Sequence, residues 1–264
     1  MSTDNSFKHI TSRDNPIFKY LKKLADNARQ RRLERKTLID GVHLIQSYHQ
    51  AYGEPELIII PEGKSSLEAT HLMQQFEHVN TIMFPTLMFA ELTPVASSTG
   101  ILAVIETPEI ALPVTVEFAL MLEDIQDPGN LGSMLRTALG ARVDAVYLSK
   151  GCTDAWSPKA LRGGQGAQFY LNIIESVDLL QIMQNFVGNT YATTLQGDSI
   201  YAQNLREPSA FLIGNEGAGL SDKLTKAASK HISIPMHPQL ESLNAAAAAA
   251  ICLFERTRQV SVIK

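Results

Sequence analysis

The chain has 264 residues, 45% hydrophobic and 19% charged, enough for two modest globular domains, and its formal net charge of −4 gives no bulk attraction to nucleic acid. No apolar run approaches the ~20 residues of a membrane span, and the N-terminal MSTDNSFKHI lacks the apolar segment of a signal peptide, so a cytoplasmic protein without membrane contact is expected. Cys152 and Cys252 stand a hundred positions apart, outside any Cys-x-x-Cys pair or histidine cluster, which argues against a disulfide framework or a zinc site; no metal is expected.

The charge is unevenly placed. Residues 1–36 hold ten Lys/Arg against four Asp/Glu, a local balance of +6, and the remainder carries −10. Within this arm Phe18, Leu21 and Leu24 recur at helical spacing, with Lys19, Lys22 and Lys23 between them. Such an arm can present Lys22, Lys23, Arg31 and Arg32 to RNA phosphates or be a solvated helix, and its composition leaves both open. Residues 36–106 then form a mixed segment: a helical pattern around Val42–Tyr48, a strand Leu57–Ile60, a second helix Ser65–Phe76 and a strand Ile101–Glu106. Pro108 and Pro113 punctuate the best linker, residues 107–115, which divides the chain into a smaller N-terminal α/β domain, 1–107, and a second domain, 115–264. Beyond the linker, apolar runs at 118–125, 143–149, 169–174, 190–195, 210–214 and 231–236 alternate with helix-like segments. This is the pattern of a mostly parallel sheet covered on both faces, whose ligands bind beyond the carboxyl ends of the strands.

Three loops follow such runs. In DPGNLGSMLRTA, 127–138, Asp127 suits a helix N-cap and Pro128 the first helical turn; Asn130 can donate and accept, and Arg136 offers a fork matched to phosphate. In LIGNEGAGLS, 212–221, Gly214, Gly217 and Gly219 permit close approach of backbone to a ligand, with Asn215 and Glu216 as polar groups. The spacing is neither a dinucleotide fingerprint nor a P-loop. In ISIPMHPQLESLNAAAAAAICLFE, 232–255, Ser242 and Asn244 precede a helix begun by six alanines. Each loop alone also reads as a tight turn or a capped helix.

In this order the three loops resemble the three motifs of the SpoU–TrmH branch of the SPOUT superfamily of RNA methyltransferases, over about residues 120–264. Residues 30–106, from LIDGVHLIQSYHQ to TGILAVIETP, resemble the substrate-binding domain often fused to that family. The resemblance implies a C-terminal α/β trefoil-knot domain, S-adenosylmethionine as cofactor, RNA as substrate and a homodimer. It implies transfer of methyl to a ribose 2′-hydroxyl. By motif, the backbone around Gly214, Ile234 and Leu243, with Met236 nearby, would hold the cofactor; Asn130, Arg136, Glu216, Ser242 and Asn244 would be catalytic; and Arg162, in ALRGGQGAQF, would contact RNA. Two departures stand out. Ala245 and Ala246 replace the usual Val and Ser after Ser-Leu-Asn, and Gly163–Gly166 is unusually glycine-rich. A separate N-terminal binding domain favours ribosomal over transfer RNA. The competing readings are a catalytically inactive RNA-binding module of the same fold and, less well supported because its glycine fingerprint is missing, a Rossmann-type nucleotide enzyme.

Overall fold

The computed structural model describes residues 8–63, 66–93, 100–109, 111 and 113–261. Residues 1–7 of the basic arm, Ser65 of the second expected helix, and positions 110 and 112 of the expected linker lie outside the described residues. Two compact units are present: Met1–Glu109 with Trp156–Phe169, and Ile110–Ala155 with Tyr170–Lys264.

The first unit runs β1 (Lys8–His9), α1 (Pro16–Asp26), α2 (Ala28–Glu34), β2 (Lys36–Asp40), α3 (Val42–Tyr52), β3 (Leu57–Pro61), α4 (Leu67–Gln75), β4 (Thr81–Phe84), α5 (Thr86–Ala90) and β5 (Leu102–Glu106). Its sheet has the order β1-β4-β3-β5-β2, with β5 antiparallel to both β3 and β2. Strands β2 and β4 go beyond the expected elements. In KTLID, Thr37 through Asp40 are all buried, so the strand lacks the alternation that reveals a half-exposed one. On α1, Phe18, Leu21 and Leu24 are buried as their spacing predicts, and Asn15 caps the helix through the Ile17 amide.

Arg31 departs from its expected role as a phosphate contact. It is 4% exposed, and its Nη1 donates to the Leu24 and Ala25 carbonyls at 2.6 and 2.9 Å. Those carbonyls belong to the last turn of α1, where intrahelical donors run out, so this arginine serves as a helix end-cap. Lys22 is also engaged, with Asp26 at 3.0 Å and the Glu91 carbonyl at 2.8 Å, whereas Lys23 and Arg32 are exposed.

Trp156–Phe169 lies beyond the linker in sequence yet packs in the first unit. Leu161 and Phe169 share an apolar cluster with Ile45, Tyr48 and Phe76. The Tyr52 hydroxyl donates to the Phe169 carbonyl, and Thr37 Oγ1 to the Trp156 carbonyl, both at 2.7 Å.

The second unit contains β6 (Phe118–Leu122), α6 (Pro128–Gly140) and β7 (Ala145–Ser149). After α7 (Pro158–Gly164), which belongs to the first unit, follow β8 (Ile173–Val177), α8 (Leu179–Asn185), β9 (Asn189–Ser199), β10 (Ser209–Ile213), α9 (Asp222–Ala227), β11 (Lys230–Ser233) and α10 (Ala245–Ser261). The sheet order is β11-β9-β10-β6-β7-β8, and every pairing is parallel. β6 and β10 are buried along their full lengths, which explains their unbroken apolar runs. They end side by side, Leu122 opposite Ile213. From β6 the chain proceeds outward to β7 and β8, then returns to β9 and β10 on the other side. The carboxyl ends of β6 and β10 therefore flank the switch point where such sheets bind ligands. The strand expected at 169–174 begins later, because Ala167–Phe169 forms a 3-10 turn that carries Phe169 into the first unit.

Candidate active site

The first and second loops leave the adjacent ends of β6 and β10, and the third leads into α10. Asp127 caps α6 by accepting from the Asn130 amide at 2.8 Å, with Pro128 in the first turn. Asn244 caps α10 by accepting from the Ala246 and Ala247 amides at 2.9 and 3.2 Å. Ser221 caps α9 through the Leu224 amide. The turn 215–219 closes by paired backbone bonds between Asn215 and Gly219, 3.0 and 2.9 Å. Gly214 sits so close beneath it that a Cβ there would overlap the Gly219 carbonyl carbon and the Leu220 amide nitrogen. Gly219 itself has φ +72, the left-handed region.

One hydrogen-bonded chain joins the three loops. Asn244 Nδ2 donates to Asn130 Oδ1 at 3.0 Å, and Asn130 Nδ2 donates to the Glu216 carboxylate at 3.1 Å. Glu216 also accepts from the Gln126 and Asp127 amides at 3.2 and 3.3 Å. Burial alone would raise the Glu216 carboxyl, but the bonds from Asn130 and the backbone amides outweigh it and hold the group below the ordinary carboxylate value. The chain is therefore bound to an ionised acid, with charge-assisted acceptors.

Beside this frame lies a cavity of about 350 Å³. Gly214, Ile234, Met236 and Leu243, the four residues expected to hold a cofactor, all line it, and so do Glu216 and Ser242. Asn130, Glu216 and Asn244 are thus bonded together and Ser242 faces the cavity. Arg136 stands apart from the chain. Six residues after Asn130 on α6, it is rotated by about a third of a turn from it and displaced by ~9 Å along the axis. It is exposed, and among the described residues its guanidinium has no hydrogen-bond or ion-pair partner. Arg162 lies on α7 in the first unit, 3.6 Å from the buried Asp40 carboxylate.

The lining role of residues 193–195 and the long-range bond of Asn215 were not visible in the sequence. Thr193, Thr194 and Leu195 also line the cavity, because pairing of β9 with β11 jumps from Ala192 to Asp198 and leaves 193–197 as an excursion. The signal was Gly197, where a Cβ would come within 2.8 Å of His231 and Ile232 backbone atoms. Asn215, expected from the sequence as a polar group of the second loop, lines the cavity as well, and its Nδ2 donates to the Asp124 carbonyl at 2.8 Å. No helix among the described residues is long and apolar enough to cross a membrane, and none of their His, Cys, Asp and Glu form a group of three or more able to hold a metal.

The SpoU rRNA methylase family matches residues 117–254, the segment that carries all three loops. The 23S rRNA (guanosine(2553)-2′-O)-methyltransferase RlmP of Bacillus subtilis is 33% identical over 255 residues, covering 94% of this chain and 98% of its own. Among solved structures, an RNA 2′-O ribose methyltransferase superposes with TM-score 0.82 at 29% identity, over 95% of this chain and 98% of its own. The SpoU methyltransferase AviRb from Streptomyces viridochromogenes, in complex with the cofactor AdoMet, superposes with TM-score 0.80 at 25% identity, over 94% of this chain and all of its own. With the family match spanning more than half of the chain and agreement with RlmP over nearly all of it, this chain belongs to the SpoU rRNA methylase family.

Proposed function

We propose that this protein transfers a methyl group from S-adenosylmethionine to the 2′-hydroxyl of a ribose in ribosomal RNA, acting in the cytoplasm as a homodimer. The observation that carries the reading is the Asn244–Asn130–Glu216 chain beside a cavity at the β6/β10 switch point. The cavity fits the cofactor. Its volume falls in the ~300–1,000 Å³ range of small-molecule sites, and its walls combine apolar Ile213, Ile234 and Leu243 with the backbone edge of the 214–219 turn. A nucleoside with an amino-acid tail needs that mixture. The threaded trefoil knot implied by the resemblance accords with Asn244, at the start of the last helix, being bonded to Asn130 on α6.

Gly214, Ile234, Met236 and Leu243 hold the cofactor, whose methyl arrives already activated on a sulfonium. The chain's task is then to align the ribose oxygen and ease loss of its proton. Arg136, without a partner among the described residues, binds the neighbouring phosphate and stabilises negative charge developing on the 2′-oxygen. Asn130, Glu216 and Asn244 fix the start of α6 that carries it, and Ser242 orients the ribose from the cavity wall. Lys23 and Arg32 contact RNA phosphates; Lys22 and Arg162 add weaker contributions because each is already paired, and Arg31 is withdrawn from the set. A 2′-hydroxyl target makes RNA, not DNA, the substrate. Ribosomal RNA is favoured because RlmP, similar along nearly the whole chain, is named for it.

The test is incubation of the purified protein with methyl-labelled S-adenosylmethionine and either ribosomal or transfer RNA, followed by digestion to nucleosides. Label in a 2′-O-methylnucleoside from ribosomal RNA is the expected result. Label on a base, or in transfer RNA alone, would overturn it.

A further inference from the structure

We propose that Asn215, acting with Ser149, is a positioning residue for methyl transfer: together they lock Asp124 in a left-handed conformation that sets where α6 begins, and so tie the cofactor turn to the helix bearing Arg136. The proposal rests on the methyltransferase reading above. Asp124 has φ +54, a conformation disfavoured for a residue with a Cβ. Three residues later Asp127 caps α6, so the backbone angle at Asp124 determines how the chain turns from β6 into the helix.

Asp124 is held from two sides. Ser149 Oγ, at the end of β7, accepts from the Asp124 amide at 2.9 Å and donates to its carboxylate at 2.6 Å. Asn215 Nδ2 donates to the Asp124 carbonyl at 2.8 Å, with Gln126 Nε2 a longer second donor at 3.3 Å. The other end of the same Asn215 amide shapes the cofactor turn, its Oδ1 accepting from the Gly217 and Ala218 amides at 2.9 and 3.0 Å. Gly217 and Ala218 line the cavity. A side chain that must accept twice at one end and donate at the other can be asparagine but not aspartate, which has no donor when ionised. The amide thus makes the position of α6 depend on the shape of the turn that holds the cofactor, at a site where ~1 Å of misplacement can cost about 100-fold in rate.

Asn215→Asp separates the two ends: the acceptor pair survives and the clamp on Asp124 is lost. Single-turnover methylation of ribosomal RNA at saturating RNA and cofactor should fall by at least ~10-fold, more than any change in calorimetric affinity for S-adenosylmethionine accounts for, Asn215 being also a wall residue of the cavity. Ser149 is not among the residues that line the cavity, so Ser149→Ala should lower the rate as much with affinity for S-adenosylmethionine within ~3-fold, and decides the matter alone if Asn215→Asp does not fold. Asn215→Ala, losing both ends, should lower affinity and rate together. Rates within two-fold of the parent in folded Asn215→Asp and Ser149→Ala, or a rate loss wholly explained by weaker cofactor binding, would overturn the positioning role. A parent protein that methylates no RNA would instead overturn the functional reading on which it rests.

Discussion

The three loops of the second unit and the basic helices of the first use their polar side chains in opposite ways. In the loops, Asn130, Asn215, Glu216 and Asn244 are bonded to each other or to neighbouring backbone, and Arg136 is exposed without a partner among the described residues. In the first unit Arg31 is consumed by the end of α1 and Lys22 by Asp26 and a carbonyl, while Lys23 and Arg32 face solvent. The difference teaches that a charged residue's type and spacing nominate it as a ligand contact, but its existing partners decide whether it is available. Bonded groups build the frame; unbonded ones meet the substrate.

Substitutions can break this contrast. The largest effect should come from Phe169→Ala, in the segment that lies late in sequence but packs in the first unit. Removing a ring that is 1% exposed and edge-packed on Tyr48 should lower unfolding free energy by about 3–5 kcal/mol in denaturant titrations. A loss below ~1 kcal/mol would show that the segment is not part of that core. Next, Arg136→Ala should cut single-turnover methylation by at least ~100-fold with cofactor affinity nearly intact, and Arg136→Lys should recover little, since an ammonium lacks the planar fork. Activity within a few-fold of the parent would remove Arg136 from the chemistry.

Arg31→Ala should behave as a stability variant, losing about 1–3 kcal/mol because two carbonyls at the end of α1 lose their donor, with the salt dependence of RNA binding unchanged. Lys23→Ala with Arg32→Ala should do the reverse, keeping stability and flattening the salt slope by ~0.7 to 0.9 units per lost phosphate contact. Finding the two behaviours exchanged would invert the assignment. The smallest effect concerns pH. Because the Glu216 carboxyl is held below its ordinary value of 4.5, its contribution is fully present above that value and is lost only as pH falls through the lower, folded one. Cofactor affinity should therefore stay level from neutral pH down to about 5. A titration that declines between pH 7 and 5 and becomes level in Glu216→Gln would show that the frame does not hold the ionised acid.

Much of this architecture was legible in the residues. The unbroken apolar runs of β6 and β10, the Asp127-Pro128 helix start and the Phe18–Leu21–Leu24 stripe each follow from local rules that tertiary packing did not override. All four residues expected at the cofactor line one cavity. What could not be read was set by long-range partners. β2 is buried at four successive positions and shows no alternation, β4 has only four residues, Arg31 is buried only because α1 ends beside it, and the excursion 193–197 exists only because β11 resumes pairing at Asp198. The role of Asn215 was hidden for the same reason, since its partner Asp124 lies 91 residues away in sequence.

The most direct test of the central claim is a map of 2′-O-methylated positions in ribosomal and transfer RNA from cells with and without this protein, read by the resistance of the adjoining phosphodiester to alkali. The account predicts that a methylated ribose in ribosomal RNA disappears with the protein and returns with the parent sequence but not with Arg136→Ala. A map of ribosomal RNA unchanged by loss of the protein would contradict it.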